Sequence, residues 1–270
     1  AARVAFTEDF DRRAFDAMVT KRLYDRLSLV FSAIQTEAAD TMADDLIGSM
    51  FEDVADRDKA VAKISALPPR IAGAPRGTWA GPSGAFRRPE LTSNDGALTM
   101  LLKQSRAVFL DRIDRVIQGN SVCDSPPLYE ATERNAYLLM QSDWACAVLL
   151  PGLITQPFAD ERHDDASLFL GVGYVWAHEL CHVTAFDDQW DSTYAGALLH
   201  DYQKETFVEA IADVCAVETL RRIGYKNTSI CASVSQHWCA RVGWAHNPAP
   251  SSHPDGNVRG DNLCKFLEVF

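Results

Sequence analysis

Long apolar runs are missing from this sequence of 270 residues. None approaches the eighteen or so positions that a bilayer span needs, and residues 1–15 are charged rather than signal-like, so no membrane span is expected. Internal repeats and low-complexity tracts are missing too, which removes the patterns of a repeat array or a disordered tail. Positive charge is scarce: 26 Lys and Arg stand against 37 Asp and Glu, a net charge of −11. That balance argues against nucleic acid or an anionic membrane surface as a partner. The cysteines number seven, which excludes complete internal pairing. Cys231, His237 and Cys239 form a C-x5-H-x-C string, which is not a standard zinc spacing and excludes an obvious second metal cluster. What remains is a chain with 47% hydrophobic residues, enough to build a core without staples.

Hydrophobic periodicity outlines the elements. Leu23, Leu27, Val30, Phe31 and Ile34 form one stripe within residues 16–36, and Val54, Val61, Ile64 and Leu67 form another within 51–67, ended by Pro68 and Pro69. Both predict amphipathic helices. Residues 70–97 are rich in Gly, Pro, Arg and Ser and predict a long loop. A third helix is expected from Leu98, Leu101, Leu102, Val108, Phe109, Ile113 and Val116. The runs Asn135–Met140 and Trp144–Leu150, separated by a polar turn, predict a β-hairpin whose edge strand would offer main-chain hydrogen bonds to an extended peptide. Two further helices are expected at 166–184 and 203–222, then a mixed, loop-rich tail over 223–270.

Chemistry concentrates in those two helices. His178-Glu179-Leu180-Cys181-His182 is an HExxH string, and on a helix its two imidazoles leave one face a turn apart, at a separation that one tetrahedral metal ion spans. Glu179 sits beside the first ligand, where a general base for water belongs. Zinc with an open position needs a third protein ligand, and Glu209 on the second helix is the choice. Asp213, one turn on, would orient a ligand histidine through its other ring nitrogen. Glu205 is the nearby rival. The bland alternative is a solvated helix with two surface histidines, and the apolar segment Leu168 to Trp176 argues against it.

With these residues assembled, the chain resembles the neprilysin and endothelin-converting-enzyme family of zinc metallopeptidases. Asn135-Ala136-Tyr137 matches that family's substrate strand, and Gly152-Leu153-Ile154-Thr155-Gln156-Pro157-Phe158 is similar to its Gly-Ile-Leu-Gln-Pro-Pro-Phe segment. Phe186-Asp187-Asp188, Glu209-Ala210-Ile211-Ala212-Asp213 and His253-Pro254-Asp255-Gly256-Asn257-Val258-Arg259 follow in the family's order. Cys181 inside the motif and Val258 in place of an aromatic depart from its pattern. The motifs lie in residues 127–270, while 16–120 match its preceding helical region loosely. The resemblance implies that Asn135 and Ala136 hold the substrate backbone. It makes His253 the stabiliser of the oxyanion, and Arg259 both a ligand for a substrate carbonyl and a brace for the site. Leu153, Phe158, Val175 and Trp238 would line a pocket for a bulky apolar side chain after the scissile bond. It also implies an extracellular or secreted setting. Against that family, much of the helical lobe that roofs the cleft is expected to be missing from this sequence, so a protein partner covering an open cleft belongs to the expectation.

The expected fold is mainly α with a small β-sheet, a thermolysin-like zinc metallopeptidase catalytic domain. Residues 1–126 would form a helical region with the long loop, and 127–270 the zinc-binding core. The expected function is that of a zinc-dependent endopeptidase acting on peptides with one zinc ion per chain. The alternatives are a non-catalytic binding or inhibitory protein on a shortened peptidase scaffold, or one piece of a larger enzyme that needs a partner.

Overall fold

The structure is a computed structural model and describes residues 19–48, 51, 53–67, 70–71, 96, 98–100, 102–103, 106, 136–141, 144–156, 158–184, 207–242 and 256–269. Helix dominates these residues. The first helix, α1, runs Lys21–Ala43, later in both start and end than its stripe predicts. Thr20 sets the start by accepting a hydrogen bond from the Leu23 amide, and Ala38, Ala39 and Met42 prolong the buried face. Helix α2 spans Val54–Ala66, capped by Asp53 accepting from the Ala55 amide. Its buried face differs from expectation: Ala60, Ile64 and the following Leu67 are buried, but Val54 is 60% exposed in the first turn.

Arg70–Ile71, placed by sequence in a long loop, forms a short strand β1 instead. It pairs in parallel with β3, Trp144–Leu149, which pairs in turn with antiparallel β2, Ala136–Gln141. The expected hairpin is present, with Ala136 opposite Leu149 and Gln141 opposite Trp144, and β2 is an edge strand. Of the expected third helix, residues 98–100, 102–103 and 106 are helical. Leu98 and Leu102 are 69% and 60% exposed, not buried on a scaffold face. Residues 72–95 and 107–116, and with them most of the predicted loop and helix, lie outside the described residues.

The run Asp165–Leu168, Phe169–Gly173, Tyr174–Cys181, His182–Thr184 is helical throughout but changes form. Asp164 caps it at the Ser167 amide, the second piece is a π-helical turn, and the last is a 3-10 turn. Helix α3 is Tyr174–Cys181. At the π turn the chain touches the segment before it: the Val172 amide donates to the Phe158 carbonyl at 3.0 Å. A Cβ on Gly171 would sit 2.2 Å from that same oxygen, so only glycine permits the approach. Helix α4, Phe207–Ile223, packs along α3 and ends at Gly224, whose φ of 108° favours glycine. There the Gly224 and Tyr225 amides donate to the Arg221 and Leu220 carbonyls and satisfy the last turn.

The described part of residues 223–270 is helical rather than the mixed, loop-rich tail that the composition suggests. It holds helices α5, Asn227–Val242, and α6, Gly256–Val269, packed on each other and joined by the disulfide Cys231–Cys264. Asn227 Nδ2 donates to the Leu267 carbonyl, and Ser233 Oγ donates to the Leu170 carbonyl in the π turn. Helix α1 lies across α3 and α4, with the Phe31 and Trp176 rings 5.2 Å apart, and the hairpin packs on α3. One apolar cluster therefore runs from α1 through both predicted metal-bearing helices to α6.

Candidate metal centre

His178, His182 and Glu209 meet. His178 Nε2 and His182 Nε2 are 2.9 Å apart, Glu209 Oε2 is 3.3 Å from the former, and Glu209 Oε1 is 3.5 Å from the latter. Four ligand atoms arranged tetrahedrally about zinc, each roughly 2.0–2.1 Å away, would be about 3.3–3.4 Å from one another. The three separations, two of which end on different Glu209 oxygens, lie close to that figure, and two imidazoles with one carboxylate are a donor set suited to zinc with an open position. The residues fit the ion. Among the described residues these three form the one cluster of His, Cys, Asp and Glu with that property. Glu179 follows His178 on α3, is buried, and is not a member of the cluster. Glu205 lies outside the described residues.

Asp213 is the hub behind the ligands. It is fully buried, and its Oδ1 lies 2.8 Å from His178 Nδ1. The same oxygen accepts from Tyr174 Oη at 2.7 Å and Arg259 Nη2 at 2.6 Å, while Arg259 Nε donates to Oδ2 at 2.7 Å. Three hydrogen bonds and the close imidazole of His178 thus compensate one carboxylate, which is what a charge out of water requires. Arg259, 1% exposed on α6, also places Nη1 3.3 Å from Glu209 Oε2 and so touches both acids of α4.

The charges follow from this packing. Burial alone would lower the His178 pKa, but the adjacent Asp213 outweighs it and holds the imidazole up at about 9. Burial, and then the charge on His178, push His182 down to about 3. Two ring nitrogens in contact cannot both carry protons, and the proton stays with the ring that has the carboxylate behind it. Burial opposes ionisation of Glu209, yet its bond to His178 and the nearby positive groups bring it down to about 2. Asp213 is likewise held well below the ordinary carboxylate range, chiefly by Arg259 and His178 against its burial. Arg259 is raised because the Asp213 carboxylate overcomes the cost of burial.

The other expected residues are described in part. Ala136 is buried at the start of β2, and Leu153 and Phe158 are buried in the segment after the hairpin. Val175 is half-buried on α3. Trp238 is on α5, but its side chain lies outside the described residues, as do Asn135 and His253. Sequence reasoning passed over two features. Tyr174 is one: it stands four residues before His178, and that spacing alone puts the two on one helix face. The other is the disulfide Cys181–Cys215, which joins α3 to α4 directly. Cys231, being bonded to Cys264, is no thiolate for a second metal. Two disulfides fit an oxidising compartment, and no helix among the described residues is long and apolar enough to cross a membrane.

No protein-family profile matches the chain, and no curated protein matches it significantly. Solved structures do. The zinc metalloprotease Zmp1 of Mycobacterium tuberculosis, in an open state, superposes with a TM-score of 0.62 at 17% identity, covering 98% of this chain and 48% of that one. The crystal structure of Zmp1 in complex with inhibitor gives 0.57 at 17% identity, covering 96% of this chain and 46% of that one. PepO from Lactobacillus rhamnosis gives 0.62 at 13% identity, covering 98% of this chain and 47% of that one. The chain therefore spans about half the length of the structures it resembles. At such identities the likeness is one of fold, and the fold, mostly helical with a small sheet, is that of zinc metalloprotease structures.

Proposed function

We propose that this chain is a zinc-dependent endopeptidase core, in the manner of the neprilysin and endothelin-converting-enzyme family. The observation that carries the proposal is the ligand triangle of His178, His182 and Glu209, backed by Asp213 and Arg259. Bound there, zinc supplies a Lewis acid that polarises a carbonyl and makes water a stronger acid. Glu179 takes a proton from the water as its oxygen attacks the scissile carbonyl carbon. It then returns the proton to the leaving amine as the C–N bond breaks. Asp213 keeps the His178 ring in the tautomer that points Nε2 at the metal. Asn135 and Ala136 hold the extended substrate along the hairpin, His253 stabilises the oxyanion, and Arg259 contacts a substrate carbonyl while bracing α4. Leu153, Phe158, Val175 and Trp238 favour a bulky apolar side chain after the scissile bond.

A second reading has its own support. The chain spans less than half of Zmp1 and of PepO, so a partner surface that completes the cleft is consistent with the site. An extracellular or secreted setting accords with the two disulfides. The test is cleavage of a mixed peptide library by the chain and by Glu179→Gln. The expected result is cleavage before bulky apolar residues that Glu179→Gln abolishes, a loss of at least about 100-fold, while zinc is retained. A Glu179→Gln protein that keeps full activity would refute the base assignment. Zinc without cleavage in the unaltered chain would move the conclusion to a binding scaffold or a missing partner.

A further inference from the structure

We propose that the Cys181–Cys215 disulfide is a positioning strut for the metal ligands, so that metal affinity depends on the redox state of this one bond. The inference rests on the zinc reading above and goes beyond it.

The bond links the two helices that supply ligands. Cys181 immediately precedes His182, and Cys215 lies two residues beyond Asp213 on α4. Both cysteines are fully buried, with Cα atoms 6.1 Å apart. The strut matters because the two histidines are held differently. His178 sits in mid-helix with Asp213 against its Nδ1. His182 falls where α3 gives way to a 3-10 turn, and among the described residues its polar contacts are with His178 and Glu209, the other corners of the triangle. Helix ends fray, and a ligand at such an end, whose polar contacts among the described residues are the other corners of the triangle alone, leans on its backbone for position. The disulfide on the preceding residue supplies that hold and ties it to the helix that carries Glu209.

Reduction by a dithiol would undo it. A thiolate of the dithiol attacks one sulfur, the S–S bond breaks, two electrons and two protons pass to the protein as two thiols, and the dithiol leaves as its own disulfide. His182 then loses its tether. Because linkage is reciprocal, zinc that binds the oxidised form more tightly must also make the bond harder to reduce, by about 30 mV for each tenfold in affinity.

The test measures zinc affinity by competition with a chromophoric chelator, and apo melting temperature, for four proteins. These are the intact oxidised chain, Cys181→Ala with Cys215→Ala, Cys231→Ala with Cys264→Ala, and Ile64→Ala. The last removes core volume on α2, which carries no ligand. The expected result is a loss of about tenfold or more in zinc affinity for the Cys181/Cys215 pair, the scale on which groups outside the ligand set act. The other two should lower the melting temperature and leave affinity within about twofold. Equal affinity for the Cys181/Cys215 pair and Ile64→Ala would overturn the proposal. Should that pair fail to fold, the intact chain is equilibrated in dithiol buffers with and without zinc, and thiol-labelled peptides are quantified by mass spectrometry. A zinc-dependent drop of about 30 mV or more in the Cys181–Cys215 midpoint, absent from Cys231–Cys264, is expected. No drop would overturn the strut. Failure of the intact oxidised chain to bind zinc would refute the metal reading itself, and the strut with it.

Discussion

Asp213 shows at the scale of single residues how a ligand is aimed. Its Oδ1 takes His178, Tyr174 and Arg259 together, so the ring that must face the metal is fixed by a carboxylate that is itself fixed. Tyr174→Phe removes one of the donors and keeps the ring. The expected outcome is a zinc affinity lower by about tenfold and a stability lower by about 1.5–3 kcal/mol, read by chelator competition and by urea denaturation. Unchanged affinity would show that Tyr174 is packing alone. The proton on His178 supplies a pH dependence. In the metal-free fold its pKa is raised to about 9, so its contribution to stability is complete below an unfolded value of about 6.5 and is lost as pH rises through 9. His182 acts in reverse: its lowered pKa costs stability as pH falls from about 6.5 toward 3. Zinc must displace the His178 proton, so affinity should rise about tenfold per pH unit between 7 and 9 and then level off. Zinc-buffered titrations across that range check it, and a plateau already reached at pH 7 would contradict it.

At the scale of elements, the π turn Phe169–Gly173 seats α3 against the Phe158 segment. Gly171→Ala would press a methyl into a backbone carbonyl that has no rotamer to yield, and a loss of about 1–3 kcal/mol is expected in thermal or urea unfolding. Stability equal to the unaltered chain would mean that this contact is not tight. Helices α1, α3 and α4 and the hairpin were legible in the sequence because large apolar residues repeat at 3.6 or 2 along them. Helix α5 was not, since among its described side chains the buried ones are Ile230, Val234 and His237, two aliphatic residues and a histidine among Ser, Thr and Gln. Helix α6 hides its pattern differently: its buried side includes Arg259, which a sequence reader assigns to solvent and which tertiary pairing with Asp213 draws inside. The π turn has no residue signature at all, and the cysteine pairing cannot be deduced from spacing. The HExxH string and the Glu209/Asp213 pair were legible for the opposite reason, because their chemistry demands fixed intervals along a helix.

The whole molecule ties the site to the core. The groups of the candidate metal centre come from α3, α4 and α6, and the cluster that packs those helices also holds α1, so the site's geometry and the fold depend on the same contacts. The likeness to Zmp1 and PepO covers nearly all of this chain and about half of theirs. The claim on which all else rests is that this chain holds one zinc through His178, His182 and Glu209. X-ray absorption on the zinc-loaded, oxidised chain, with metal content measured on the same sample, tests it most directly. The account predicts one zinc per chain with nitrogen and oxygen neighbours at about 2.0–2.1 Å, two of them imidazoles, and a signal lost in His178→Ala. A chain that takes up no zinc, or a sulfur neighbour at about 2.3 Å, would contradict it.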